Sequence, residues 1–161
     1  MSALPTRPID EFLAGPQAVR DVVAGMSREQ LVARPIAGKW STLEVVCHLV
    51  DSDQAWCHRM KRVITEDKPL LIGYDESRFT AGLFYHDRDV ANELAMLDAM
   101  RRQMAQVLRG VPEAAWSRAG IHSERGLITL EEMLQSETEH LVHHVQQIAE
   151  KRRALGVPVS G

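Results

Sequence analysis

Three features of the sequence predict an all-α protein built as a four-helix bundle, with little or no β structure. Capping boxes of the Ser/Thr-x-x-Glu/Gln kind mark helix starts, because the two side chains satisfy backbone N–H groups that lack a partner inside the helix. Apolar residues recur at helical spacing over four long runs. No segment alternates between apolar and polar residues for the length of a strand. The 161 residues suit one domain, 1–161, since domains commonly hold about 100–200 residues.

The caps and breakers place the helices along the chain. They predict a short helix ending near residue 35 and long helices over 41–67, 87–108 and 129–155. An earlier run over 9–26 contains Gly15 and Pro16. Because proline disrupts a helix interior, we expect a broken helix or two pieces, with the main part starting at Pro16. The capping boxes are Ser27 with Gln30, Ser41 with Glu44, and Thr129 with Glu132.

The two long connections, about 68–86 and 110–128, are expected to cover one end of the bundle. A small extended stretch around His122 is compatible with the apolar residues beside it.

Charge and composition exclude several classes of partner. The net charge of -3 provides no basic field for a polyanion, so we expect no nucleic acid partner. No apolar run approaches the roughly 20 residues of a spanning helix, and the N-terminus lacks a signal-peptide core. We therefore expect a cytoplasmic protein without a membrane segment. Cys47 and Cys57 would lie about 15 Å apart along one helix, too far for a disulfide, which predicts free thiols.

Three histidines are the candidate metal ligands. His140 and His144 are four residues apart, so both rings lie on the inner edge of the last helix, while His143 points away. His48 lies on the second long helix, on a strip beside the apolar face. Three protein ligands with an open fourth position are typical of catalytic zinc sites. The alternative is that these are half-buried, hydrogen-bonded histidines without a metal.

Five neighbouring residues allow both a functional and a structural interpretation. Asp51 could orient a ligand histidine through its second ring nitrogen, act as a base, or be a solvated carboxylate. Glu137 has the same interpretations and is also an occasional ligand type. His122 is expected to be a surface histidine in a loop, and the alternative is that a pocket over one end of the bundle uses it. Arg59 and Arg62 could hold an anionic substrate, or be solvated charges.

Four short motifs follow one another in a specific order and spacing. They are Gly38-Lys39-Trp40-Ser41 with Glu44, His48-Leu49-Val50-Asp51, His122-Ser123-Glu124-Arg125-Gly126, and the His-rich segment 139–148. Together they resemble the DinB/YfiT-like superfamily, a helical-bundle fold shared with the metal-binding domain of mycothiol-dependent maleylpyruvate isomerases. The resemblance covers essentially the whole chain.

The resemblance implies a four-helix bundle that holds a divalent metal, zinc or nickel in some members, through histidines matching His48, His140 and His144. Members of known activity are often transferases or isomerases that use a low-molecular-weight thiol, and others are described as metal-dependent hydrolases. We therefore expect an enzyme that activates such a thiol towards a small-molecule substrate. A hydrolase, or a non-catalytic metal-binding or dimerisation bundle linked to stress response, is the alternative.

The resemblance also bears on assembly. Members of the superfamily often pair through bundle helices, and the second and third long runs have apolar residues to spare. We therefore expect a homodimer.

Overall fold

Four long helices form the bundle in the computed structural model, which describes residues 6–158. Two short helices, two single 3-10 turns and three short strands lie in the connections. The long helices are α1 (Thr6–Val23), α3 (Thr42–Thr65), α5 (Val90–Gly110) and α6 (Leu130–Ala154). The other elements are α2 (Arg28–Val32), α4 (Glu76–Gly82), 3-10 turns at Tyr85–Asp87 and Glu113–Ala115, β1 (Leu70–Leu71), β2 (Ala119–His122) and β3 (Gly126–Thr129).

The capping boxes form as predicted. In each of α2, α3 and α6 the Ser or Thr side chain accepts from a backbone N–H one turn later, and the Glu or Gln side chain accepts in return from the cap N–H. The predicted four-helix bundle is confirmed, and each long helix begins and ends within a few residues of its expected bounds, except at the start of α1.

Helices that are neighbours in sequence are not all neighbours in space. α1 packs against α5 and α6, and α3 packs against the same two helices. Going around the bundle, the order is therefore α1, α5, α3, α6. This arrangement places α3, which carries His48, directly against α6, which carries His140 and His144.

The small sheet joins the two long connections. β1 runs parallel to β2, with Leu71 paired to His122, and β2 and β3 form an antiparallel hairpin. Leu71 and Ile128 pack with α1, α3, α5 and α6 near one end of the bundle, whereas Tyr85 packs near the other end. The connection before α5 therefore runs along the bundle. The expectation that it covers only one end is wrong.

The prediction that the first helix breaks at Gly15-Pro16 is wrong. α1 is continuous from Thr6 to Val23 with Pro16 inside it. Proline removes the N–H that would bond the carbonyl four residues earlier, and this carbonyl belongs to Phe12. The Phe12 oxygen instead accepts a hydrogen bond of 2.9 Å from Nη1 of Arg101 on α5. A distant side chain therefore replaces the missing backbone donor.

Arg101 is a fully buried guanidinium at the centre of the bundle. Its Nε and Nη2 donate to the two carboxylate oxygens of Asp53 at 2.6 and 2.9 Å, and Nη2 also reaches the Glu137 carbonyl at 3.2 Å. Its guanidinium lies 4.2 Å from the centre of the Phe12 ring. A Cβ on Gly15 would approach Nη1 to 2.6 Å, so glycine makes room for the guanidinium. We call Arg101, Asp53, Gly15-Pro16 and Glu137 the polar layer.

The polar layer separates two apolar clusters. Each long helix has residues in both clusters, and its polar-layer residue lies between these two groups along the helix. The first cluster includes Phe12, Met60, Met104 and Leu134, and the second includes Val19, Leu49, Leu97 and Leu141.

The apolar surface gives little support to pairing through α3 and α5. Among the described residues, no large apolar side chain of α3 is exposed, and α5 contributes Met96, which is 42% exposed. The homodimer therefore stays a prediction. No helix in residues 6–158 has the length and apolar character to cross a membrane.

Replacing Arg101 by Met is expected to lower the free energy of unfolding by about 3–5 kcal/mol, because it leaves a buried Asp53 charge without its partner. Urea unfolding measures this loss. Arg102→Met is the matched control, since Arg102 is 67% exposed and pairs with Asp98 on the surface. It should lose about 0–1 kcal/mol. Equal losses in the two variants would contradict the role of Arg101.

Candidate metal centre

The structure brings together three histidines from two packed helices. Nε2 of His140 lies 3.1 Å from Nε2 of His48 and 3.1 Å from Nε2 of His144. One nitrogen from each of the three rings falls within 4.8 Å of the other two. His48 and His144 are buried and the His140 side chain is 25% exposed. His143 is exposed, as predicted, and its ring lies 5.5 Å from that of His144 without belonging to the three-histidine group.

The three rings fit a divalent ion of the zinc or nickel type. Two imidazole nitrogens bound tetrahedrally to zinc at about 2.0–2.1 Å lie about 3.3 Å apart, close to the Nε2 separations seen here. Imidazole is a donor that zinc and nickel accept readily. Among the described residues this group has three members, so the protein supplies no fourth ligand of the same kind.

Burial keeps these imidazoles neutral, which is the form that binds metal. Burial, followed by repulsion from His144 and His48, lowers the pKa of His140 to about 3. Burial and His48 lower the pKa of His144 to about 4. Burial also lowers the pKa of His48. At neutral pH the three rings are therefore uncharged, and each has one ring nitrogen with a lone pair that can bind a metal.

The other ring nitrogens have different surroundings. With the Nε2 lone pairs turned towards one another, Nδ1–H of His144 donates to Oε1 of Gln147 at 2.9 Å. Nδ1 of His140 lies 3.9 Å from Oε2 of Glu137. Nδ1 of His48 is buried without a hydrogen-bond partner among the described residues, and its ring packs 5.1 Å from that of Trp40.

Asp51, the carboxylate that the sequence favours for a role at the site, and Glu137 have different surroundings in the structure. The Asp51 carboxylate accepts from the Tyr85 hydroxyl at 2.7 Å and from Arg88 at 3.1 Å, so its oxygens are engaged away from the histidine ring nitrogens. Glu137 is buried below His140, where burial and the Asp53 charge raise its pKa well above the usual range. The carboxyl nearest to a ligand ring is therefore that of Glu137. Catalysis by Asp51 stays a prediction.

A small cavity of about 220 Å³ lies beside the histidines, and His140 forms part of its wall. It lies between α3 and α6, under the β2–β3 hairpin and the segment after β1. The size suits a small molecule, since pockets for drug-sized ligands commonly measure about 300–1,000 Å³. Its aromatic and cationic side chains are Trp56, Arg59, Tyr74, His122 and Arg125.

The expectation that His122 is a surface histidine is wrong. Its ring is 5% exposed and stacks on Trp56, with ring centres 5.5 Å apart and planes 8° from parallel. Nδ1 accepts a hydrogen bond from the backbone N–H of Glu124. Pairing of β2 with β1 and β3 holds the ring at this position.

Three cavity residues, Trp56, Tyr74 and Arg125, are not predicted from the sequence. Trp56 also packs in an apolar cluster, and Arg125 lies in a motif that carries only the resemblance. The spacing of Trp56 and Arg59, three residues apart on one helix face, is a signal that could have indicated a shared wall. Tyr74 has no comparable signal, because the fold alone brings it to the cavity.

The two cysteines are free and buried, as predicted. Burial raises the pKa of both Cys47 and Cys57 to about 12. Neither thiol is therefore available as an ionised nucleophile at neutral pH.

The sequence pattern of the DinB superfamily matches residues 11–148, which include all three histidines and most of both flanking helices. The chain belongs to the DinB superfamily. Two bacterial relatives carry the provisional name of metal-dependent hydrolase. YfiT of Bacillus subtilis is 29% identical over 142 residues, covering 88% of this chain and 80% of YfiT. A Geobacillus thermodenitrificans protein is 30% identical over 145 residues, covering 88% of this chain and 80% of the relative.

Two solved structures share the DinB bundle. The structure of YfiT, described as an unusual four-helix bundle, aligns with a TM-score of 0.90 at 27% identity and covers 94% of this chain and 87% of YfiT. The mycothiol-dependent maleylpyruvate isomerase aligns with a TM-score of 0.71 at 15% identity, covering 90% of this chain and 61% of the isomerase. The second likeness concerns the fold alone.

Metal content is expected to distinguish adjacent histidines. His144→Ala should lose most of its zinc or nickel after metal loading and desalting, because one of three converging nitrogens is removed. His143→Ala, an exposed neighbour, should retain it. Elemental analysis gives the stoichiometry. Equal metal loss in both variants would refute the assignment of His144 as a ligand.

The metal-free protein is expected to lose stability as the pH falls from about 6.5 towards 4. In that range the unfolded chain binds protons at His140 and His144, whereas the folded chain, with pKa values of about 3 and 4, does not. Urea unfolding in the presence of a chelator, at several pH values, measures the slope. The double variant His140→Gln, His144→Gln should show a shallower slope, and an unchanged slope would contradict the lowered pKa values.

Proposed function

We propose that this DinB superfamily protein is a divalent-metal-dependent enzyme that activates a low-molecular-weight thiol for transfer or isomerisation of a small substrate. His48, His140 and His144 would hold the ion, with zinc or nickel as the metal. The observation that carries the proposal is that His140 belongs both to the three-histidine cluster and to the wall of a small cavity. A nucleophile at the cluster would therefore face a molecule in the cavity.

The nucleophile in this proposal comes from outside the chain. Cys47 and Cys57 are buried, and burial raises their pKa to about 12, so neither supplies a thiolate at neutral pH. A bound divalent ion would lower the pKa of a coordinated thiol or water, so that its anion exists near neutrality. A free thiol reaching the three histidines from the cavity would meet this requirement.

The residues of the chain position and shield the reactants. The Nε2 atoms present three lone pairs to one centre, and Gln147 fixes the ring of His144 through Nδ1. Trp56 and His122 form a stacked aromatic wall on one side of the cavity. Glu137, with its raised pKa, lies under His140 and would add little negative charge there.

Hydrolysis is the second candidate, supported by the provisional names of the relatives, which include a protein of Oceanobacillus iheyensis 27% identical over 140 residues. The first step would be the same, with water in place of the thiol. A non-catalytic metal-binding bundle is less well supported. Structural zinc sites are commonly closed by four protein ligands, and the described residues bring three together here.

The proposal is tested by assaying the metal-loaded full chain for thiol conjugation and for ester cleavage. The thiol proposal predicts metal-dependent conjugation of a small thiol to a chromogenic electrophile, lost in His48→Ala and kept in His143→Ala. Metal-dependent ester cleavage that needs no thiol would support the hydrolase and contradict the transferase. A chain that binds metal but accelerates neither reaction would support the non-catalytic alternative.

A further inference from the structure

We infer that the cavity beside the histidines binds the carboxylate of a small organic acid through Arg59. The inference rests on the proposed function in one respect, namely that the acid is the substrate. The anion site itself depends on Arg59 and its surroundings, and it can be tested without any metal.

Arg59 is a buried cation whose pKa is lowered by burial and raised in part by the more distant carboxyls of Glu137 and Glu124. It is 6% exposed, and none of the ion pairs among the described residues includes it. Its Nη2 donates to the Ile72 carbonyl at 2.6 Å, and its guanidinium lies 4.8 Å from the centre of the Trp56 ring. Burial of an unpaired charge is unfavourable, so buried charges are normally paired. A bound anion would supply the missing partner.

Arg59 has fewer hydrogen-bond acceptors than the other two buried arginines. Arg152 forms no ion pair among the described residues, but it donates to three backbone carbonyls. Arg101, also buried, is paired with Asp53, and Arg62, one turn after Arg59 on α3, is paired with Glu66. Arg59 instead lines the cavity that His140 also lines. Its contacts with Ile72 and Trp56 hold the guanidinium in place before any ligand binds, so little conformational entropy would be lost on binding.

The rest of the cavity favours a carboxylate over other anions. Arg125 brings a second guanidinium, 5.4 Å from the Trp56 ring. Burial, together with the charge of Arg59, lowers the pKa of His122, as expected where the potential is positive. The exposed carboxylates of Glu76 and Glu124 also line the cavity, and they would repel a phosphate dianion more than a singly charged carboxylate. The planar guanidinium matches the carboxylate fork, and about 220 Å³ limits the acid to a small one.

The experiment compares benzoate with benzamide, which has a similar shape but no charge, in NMR titrations of the full chain. The titrations are run with zinc bound and again after chelation. In both states benzoate should bind at least about tenfold more tightly than benzamide. In Arg59→Gln this preference should nearly disappear, and in Arg59→Lys, which keeps the charge but loses the planar fork, it should be intermediate. Arg62→Gln is the matched control and should keep the full preference.

Several results would overturn the inference. They are equal binding of benzoate and benzamide by the unmodified protein, a full benzoate preference in a folded Arg59→Gln, and tighter binding of inorganic phosphate than of benzoate. A preference that vanishes on chelation would assign the carboxylate to the metal and not to Arg59. Failure of the chain to bind metal would reject the proposed function, while the chelated titrations would still decide the role of Arg59.

Discussion

The buried guanidinium of Arg101 sets the constraint on which the arrangement of the bundle depends. A guanidinium offers five N–H groups in one plane, and each needs an acceptor when water is excluded. Asp53 on α3, the Phe12 carbonyl on α1 and the Glu137 carbonyl on α6 accept four hydrogen bonds from these groups. Apolar side chains alone tolerate sliding of one helix past another. A buried charge that needs acceptors from three other helices does not tolerate such sliding, so it fixes the positions of the four helices along the bundle axis.

This constraint also positions the candidate metal centre. His48 precedes Asp53 by five residues, while His140 and His144 follow Glu137 by three and seven. At about 1.5 Å per residue, His48 lies about 7.5 Å from the polar layer, and the other two lie about 4.5 and 10.5 Å from it. Because α3 and α6 are antiparallel, all three are on the same side of the layer. Along the bundle axis, His48 therefore lies midway between His140 and His144, which allows the three Nε2 atoms to converge.

The sequence correctly predicts the features that depend on residues a few positions apart in the chain. The capping boxes and the convergence of His140 and His144 on one helix face follow from helix geometry, and both are present. The errors involve partners distant in sequence. Pro16 is accepted inside α1 because Arg101 replaces its missing donor. His122 is buried because the hairpin stacks it on Trp56 from another element. No window of sequence around either residue contains its partner.

Two of the three buried arginines, Arg101 and Arg59, differ in how the fold compensates their charge. Arg101 is neutralised by a bidentate carboxylate and two carbonyls, so its charge is satisfied within the fold. Arg59 has one carbonyl and one aromatic ring, and its side chain borders the cavity. The Arg59 charge therefore has no ion-pair partner within the described residues, and it borders the cavity that His140 of the three-histidine cluster also lines. A ligand that carries both an acid group and a reactive carbon would use the two features together.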